Sequence, residues 1–457
     1  MKIEKKIRKT NDTSVYELDG KPPLREAIPL GMQHILAMFV GNVTVPIIIA
    51  GLLGFDVAQK TMLIQYAMFV AGIVTMIQLY PIGRIGAKLP IVMGTSFGFL
   101  PTCIAIGKSF GLAGILGAQF VGGFFCGILG LFLKPLRKFF PPLVTGTVLL
   151  TIGLSLLPTG ITAMAGGAGA ADFGSFTNLF IAFVVLITVV YFRQFTKGFS
   201  SMAAILIGII VGYIVALAFG KVSFDAVAQA GWFSLPKPLV FGMTFHWEAI
   251  AAMLIMYIVT TVETVGDISG ITMGGAGREA TDRELSGGII SNGLGSSFAA
   301  IFGALPNTSY SQNVGLISLT GVMSRFVVAL GASFLIIAGL FPKLGALVTT
   351  IPQSVLGGAT IVMFSMIAVT GIALISKSEL NQRNLLTVGL ALALGLGVTS
   401  VPNALQHFPE SVRLIFGGSG IVIACIVALV LNIILPQELG KSLFGKHEQQ
   451  EGAKANN

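Results

Sequence analysis

Residues 89–107, LPIVMGTSFGFLPTCIAIG, and residues 305–321, LPNTSYSQNVGLISLTG, read as two versions of one device. Each opens on Leu-Pro. Each sets a small polar stretch before a glycine-bearing apolar helix that is too short to cross a hydrocarbon core of about 30 Å. Paired interrupted segments at matching places in a membrane chain point to a binding site built from half-helices. The surrounding chain is 54% hydrophobic and 10% charged. Soluble domains carry about 25% charged residues, which excludes a water-soluble globule. The ten-residue alternation of a transmembrane barrel is missing.

Working outward, fourteen candidate spans lie near 27–53, 58–80, 91–107, 112–133, 142–157, 177–192, 200–219, 247–271, 285–304, 310–321, 324–341, 355–375, 385–400 and 411–435. The interrupted stretches are spans three and ten, each third in a run of seven. Spans one and eight correspond too: one carries Gln33 and His34, the other Glu263 and Asp267. An odd number of crossings turns the second half upside down. We therefore expect an all-α polytopic membrane protein with 14 transmembrane spans as two inverted seven-span repeats. The polar ends, 1–24 and 438–457, read as tails around a membrane region of 25–437.

The net charge of +9 fits this topology and gives no reason to expect nucleic acid binding. Seven Lys and Arg residues precede the first span and fifteen lie in the even-numbered loops and C-terminal tail, against six on the other side. The positive-inside rule then places both termini in the cytoplasm of a cell-membrane protein. Cys103, Cys126 and Cys425 lie in apolar spans without pairing or metal spacing, and read as inert buried thiols. No metal cluster or phosphate-cradling glycine loop is present, so no metal and no cofactor is expected. An intramembrane enzyme would need a nucleophile–base pair within the spans, and none is found.

Glu263 and Asp267 lie four residues apart in AAMLIMYIVTTVETVGDISGITM, residues 251–273, and so share one helix face. Carboxylates inside a bilayer are expensive and mark substrate or proton paths. A half-helix starting at mid-membrane leaves unpaired N–H groups and partial positive charge at its head. Spans three and ten are expected to meet near the midplane, offering backbone groups around Phe97 and Ser311. Phe97 presents a ring for stacking, or packs only as core. Gln312 can pair bidentately with a cyclic amide, with Glu263 accepting from ring N–H groups opposite. Asn313 either joins the site or caps the helix. A carboxylate held out of water exchanges protons closer to neutral pH. Asp267 is the expected proton carrier, with Glu263 on the substrate and His34 bonded into the same network or satisfied elsewhere. Thr95, Ser96, Asn42 and Asn292 line or support the site, or serve helix packing.

The run Gln312-Asn313-Val314-Gly315-Leu316-Ile317-Ser318-Leu319-Thr320-Gly321 resembles the signature of the nucleobase–ascorbate transporter family, Q/E-N-x-G-x4-T-G/R/K. Asn313, Gly315 and Thr320 are its fixed positions. Glu263-Thr264-Val265-Gly266-Asp267 is similar to the family's span-eight motif, and Gly31-Met32-Gln33-His34 to its span one. The resemblance covers residues 25–435. It implies a core domain of spans one to four and eight to eleven, and a gate domain of spans five to seven and twelve to fourteen. It implies proton-coupled purine uptake in a homodimer. Uracil transporters of the family have Glu at the place of Gln312 and His at that of Asp267, so this pair resembles the xanthine and uric acid branch. Asn292 stands where bacterial xanthine permeases of this type often have Asp. The alternatives are another nucleobase of the same family, such as uracil, or an inorganic anion carried by the related seven-plus-seven fold. That last reading wants positive charge at the midplane, where this chain has two acids.

Overall fold

The computed structural model describes residues 15–132, 141–409 and 412–436. The C-terminal tail from 438, most of the N-terminal tail, and Lys134, Arg137 and Lys138 lie outside them. Leaving aside one-turn helices, the order is α1 (Leu24–Leu52), α2 (Val57–Leu79), β1 (Met93–Thr95), α3 (Leu100–Leu131), α4 (Pro142–Met164), α5 (Phe176–Phe195) and α6 (Ala204–Ala218). Then follow α7 (Trp247–Ala276), α8 (Asp282–Ile301), β2 (Asn307–Ser309), α9 (Ser311–Thr320), α10 (Arg325–Ala338), α11 (Pro342–Thr349), α12 (Gln353–Ile375), α13 (Gln382–Ser400) and α14 (Gly420–Ile434). Helix starts follow local chemistry. Asp56 and Thr281 close capping boxes with Gln59 and Glu284, satisfying the first N–H groups of α2 and α8.

Among the described residues, eight helices are long and apolar enough to cross a membrane, or nine if α10 and α11, bent by 87°, count as one span. Helices α6 and α14 are apolar but only 15 residues long. Expected spans three and four are two helical pieces of α3 that meet at Gly111, whose φ of 67° falls where glycine alone is at ease. Expected span ten is the ten-residue α9, ended by Gly321 at φ 70°.

The all-α expectation needs one correction. The polar stretches before the two half-helices are short strands that pair antiparallel, with Met93 opposite Ser309, Gly94 opposite Thr308 and Thr95 opposite Asn307. In a bilayer, unwound backbone must find partners within the protein, and here each stretch satisfies the other. Neighbours hold the pair in place. Asn42 Oδ1 accepts from the Thr95 N–H at 2.8 Å, Thr75 Oγ1 from the Met93 N–H at 2.9 Å, and Ser296 Oγ from the Asn307 N–H at 3.0 Å.

Packing falls into two sets. Helix α3 lies against α8 and α7, and α10 against α1 and α2; α12 lies against α4, α5 and α6, and α13 against α14. Small residues bring backbones close where helices cross. At Gly293 on α8, an added Cβ would fall 2.4 Å from the Gly127 nitrogen and 2.5 Å from the Gly123 oxygen of α3. At Gly371 on α12 it would fall 2.4 Å from the Leu150 nitrogen of α4. The cavity described next lies between these sets.

Candidate functional site

A cavity of about 630 Å³ opens where the strand pair, α7 and the head of α9 face α4 and α12. Of the residues expected to form a site, Thr95, Ser96, Phe97, Glu263, Asp267, Ser311, Gln312 and Gly315 line it. The helical spacing of four puts Glu263 and Asp267 on one wall. Gly315 keeps that side of α9 clear, since a Cβ there would meet nothing within 4 Å. Thr320 closes the last turn of α9 by donating to the Leu316 carbonyl at 2.9 Å.

The two acids stand in different surroundings. Asp267 is only 6% exposed, and both its oxygens are engaged. Ser309 Oγ donates to Oδ2 at 2.5 Å and Ser311 Oγ to Oδ1 at 2.6 Å. Glu263 is half-buried, and its carboxylate makes no hydrogen bond or ion pair with a described residue. The Gln312 amide, also half-buried, is likewise without a hydrogen-bond partner among the described residues. The cavity thus holds one carboxylate fixed by hydroxyls, and a second carboxylate and an amide that are free to bind.

Phe97 sits against Phe364 of α12, ring centroids 5.1 Å apart and nearly perpendicular. Ser96 Oγ accepts from the Gly98 N–H at 3.2 Å. Five expected residues, His34, Asn42, Asn292, Asn313 and Thr320, do not line the cavity. His34 is buried and its Nδ1 has no hydrogen-bond partner among the described residues, so the expected link from His34 to the acids is not made. Asn313 is fully buried with both amide atoms unpartnered among the described residues, and α9 begins without a side-chain cap, so neither expected role of Asn313 is formed. The periodicity of the helix turns it away while Gln312 and Val314 face the cavity. Asn292 lies behind α7, donating from Nδ2 to Thr264 Oγ1 at 3.0 Å, and supports the turn that carries Glu263.

Sequence reading missed Ser309, Tyr310, Thr145 and Arg193, all of which line the cavity. Ser309 had a usable signal. Residues two apart in an extended stretch share a face, so Ser309 belongs with Ser311. Tyr310 bridges the two halves, its hydroxyl donating to the Thr95 carbonyl at 2.6 Å. Its ring leaves no room for a Cβ at Gly41. The other two depend on how distant helices pack, and nothing near them in the chain marks them.

A family model described as a permease family matches residues 25–404. The xanthine permease of Bacillus subtilis is 39% identical over 414 residues, covering 90% of this chain and 93% of its own. The uric acid permease PucK of the same organism is 38% identical over 408 residues, with coverage of 88% and 94%. The xanthine permease XanP of Escherichia coli K12 is 34% identical over 445 residues, with coverage of 94% and 96%. Among solved structures, the transmembrane domain of the cyanobacterial bicarbonate transporter BicA superposes with a TM-score of 0.56 at 14% identity, covering 91% of this chain and all of that one. The murine Solute Carrier 26 family member A9 gives 0.57 at 12% identity, covering 91% of this chain and 69% of that one. Those two likenesses concern the seven-plus-seven fold alone.

Proposed function

The chain belongs to the nucleobase–ascorbate transporter family, and from that premise we propose that it takes up a purine nucleobase, xanthine or uric acid, together with protons. One observation carries the reading: the Glu263 carboxylate and the Gln312 amide line one cavity, and neither has a hydrogen-bond partner among the described residues. An oxidised purine presents adjacent ring N–H and C=O groups. An amide pairs with these bidentately, and a carboxylate accepts the remaining N–H in a charge-assisted bond. A ligand without these groups leaves both side chains unpaired, a penalty that can discriminate by about 10⁴-fold. Phe97 offers the ring face.

Asp267 is the proton carrier in this reading. Serine hydroxyls both donate and accept, so the Ser309 and Ser311 contacts can hold Asp267 in place with or without a proton. One helical turn separates it from Glu263, close enough for the two groups to sense each other's charge. The strand pair and α1–α3 with α7–α10 act as the core, moving against a gate of α4–α6 and α12–α14. The gate also joins two copies, and both termini face the cytoplasm.

The test is uptake of labelled xanthine in cells lacking their own purine permeases, competed by urate, uracil, guanine and hypoxanthine. Saturable uptake, competed by urate and abolished by a protonophore, is expected. Competition by uracil alone, or uptake indifferent to the protonophore, overturns the substrate or the coupling respectively.

A further inference from the structure

The cavity is electrically lopsided. Glu263 and Asp267 line it from the middle of α7. Arg193, in the last turn of α5, is the only cation among the described residues that line it. The cavity also reaches Ser318 and Leu374, near the ends of α9 and α12, so Arg193 marks its mouth on the face rich in Lys and Arg loops. Arg193 is exposed, and its guanidinium makes no hydrogen bond or ion pair with any described residue. Its backbone is held: Ser201 Oγ donates to the Arg193 carbonyl at 3.1 Å, closing the turn toward α6.

We propose that the Arg193 guanidinium is a second, mouth-side subsite that takes the anionic form of an oxidised purine on the cytoplasmic face; the inference rests on the transport reading above. Purines with two or three ring carbonyls have acidic ring N–H groups and lose a proton near neutral pH. The anion is planar, with neighbouring N and O acceptors that match the two-pronged donor face of a guanidinium. The α7 wall selects the other form. Glu263 needs a ring N–H to accept, and it repels a purine anion, so the neutral base sits between α7 and α9. On the way out, the ring N–H gives its proton to cytoplasmic water and the remaining anion pairs with Arg193. The two positions therefore recognise two protonation states of one ligand. A cytoplasmic pool of the anion competes at the mouth and slows further uptake.

The test uses right-side-out membrane vesicles carrying the full chain at pH 7.5, with labelled xanthine outside. The lumen holds unlabelled urate, an anion at this pH, or hypoxanthine, which is neutral. Luminal urate is expected to inhibit the wild type and Arg193→Lys. Arg193→Gln should need about tenfold more luminal urate for the same inhibition, the factor set by one lost charge-assisted contact. Its response to luminal hypoxanthine should match the wild type. Urate and hypoxanthine sensitivities that change together, or not at all, overturn the subsite. So does insensitivity of the wild type to luminal urate. Wild-type vesicles that take up no xanthine would instead overturn the transport reading itself.

Discussion

Asp267 on α7 and Ser311 at the head of α9 are joined by a 2.6 Å hydrogen bond across 44 residues of chain, with Ser309 completing the grip from the strand before. The expected proton carrier is thereby tied to the half-helix that bears Gln312. In the proposed mechanism, a change of charge on Asp267 would act through Ser311 on the position of the Gln312 amide.

Removing both hydroxyls should expose that link. In Ser309→Ala/Ser311→Ala, the Asp267 carboxylate stays buried without donors, at about 1–3 kcal/mol for each lost partner. Concentrative xanthine uptake should fall at least about tenfold, one factor of ten for each 1.4 kcal/mol, with normal amounts of protein in the membrane. Ser311→Thr keeps a hydroxyl and should retain most uptake. Full accumulation by the double variant would show that the pair is only packing.

Asp267→Asn should separate binding from accumulation. The amide keeps the shape and can still bond the serines, but carries no titratable proton. External alkalinisation on adding substrate should disappear, and xanthine should no longer concentrate inside. Alkalinisation equal to that of the wild type would remove Asp267 from the coupling step.

Glu263 and Gln312 should behave as one unit. Glu263→Gln is expected to abolish uptake while the protein still reaches the membrane. Binding losses in Glu263→Gln and Gln312→Ala, measured by calorimetry, should be non-additive by about 0.5–3 kcal/mol, as for residues sharing one ligand. Simple additivity would place them at separate sites.

Tyr310→Phe tests the bridge between the two halves. The Tyr310 hydroxyl donates to the Thr95 carbonyl at 2.6 Å. Its loss should cost about 1–3 kcal/mol, since the carbonyl is left buried and unpaired. The expected readout is a lower melting temperature in detergent and weaker protection by xanthine. An unchanged melting curve would mean the carbonyl finds another donor.

Gly293→Val should weaken the α3–α8 crossing without touching the cavity. Even the first added carbon meets backbone at 2.4–2.5 Å. Overpacking of this kind costs about 1–3 kcal/mol. The melting temperature should drop, while the KM of the protein that remains folded stays that of the wild type. A changed KM with unchanged stability would contradict this division.

Much of this protein was legible in the chain itself. Apolar runs are local features, so they identified a mostly helical membrane protein, and the two matching Leu-Pro stretches marked the segments that pair as β1 and β2. Glu263, Asp267, Gln312 and Phe97 were singled out because polar or aromatic groups in such segments have few ordinary explanations. Tertiary structure alone decided what each residue faces. It paired β1 with β2 across more than 200 residues, gave Asp267 two serine donors, and left Glu263 and Gln312 without a hydrogen-bond partner among the described residues. It turned Asn313 and His34 away from the cavity and brought Arg193 to its lining. The physical reason is range: hydropathy and helical periodicity act over a few turns, whereas hydrogen-bond partners in a water-poor interior are supplied by whichever distant backbone packs alongside.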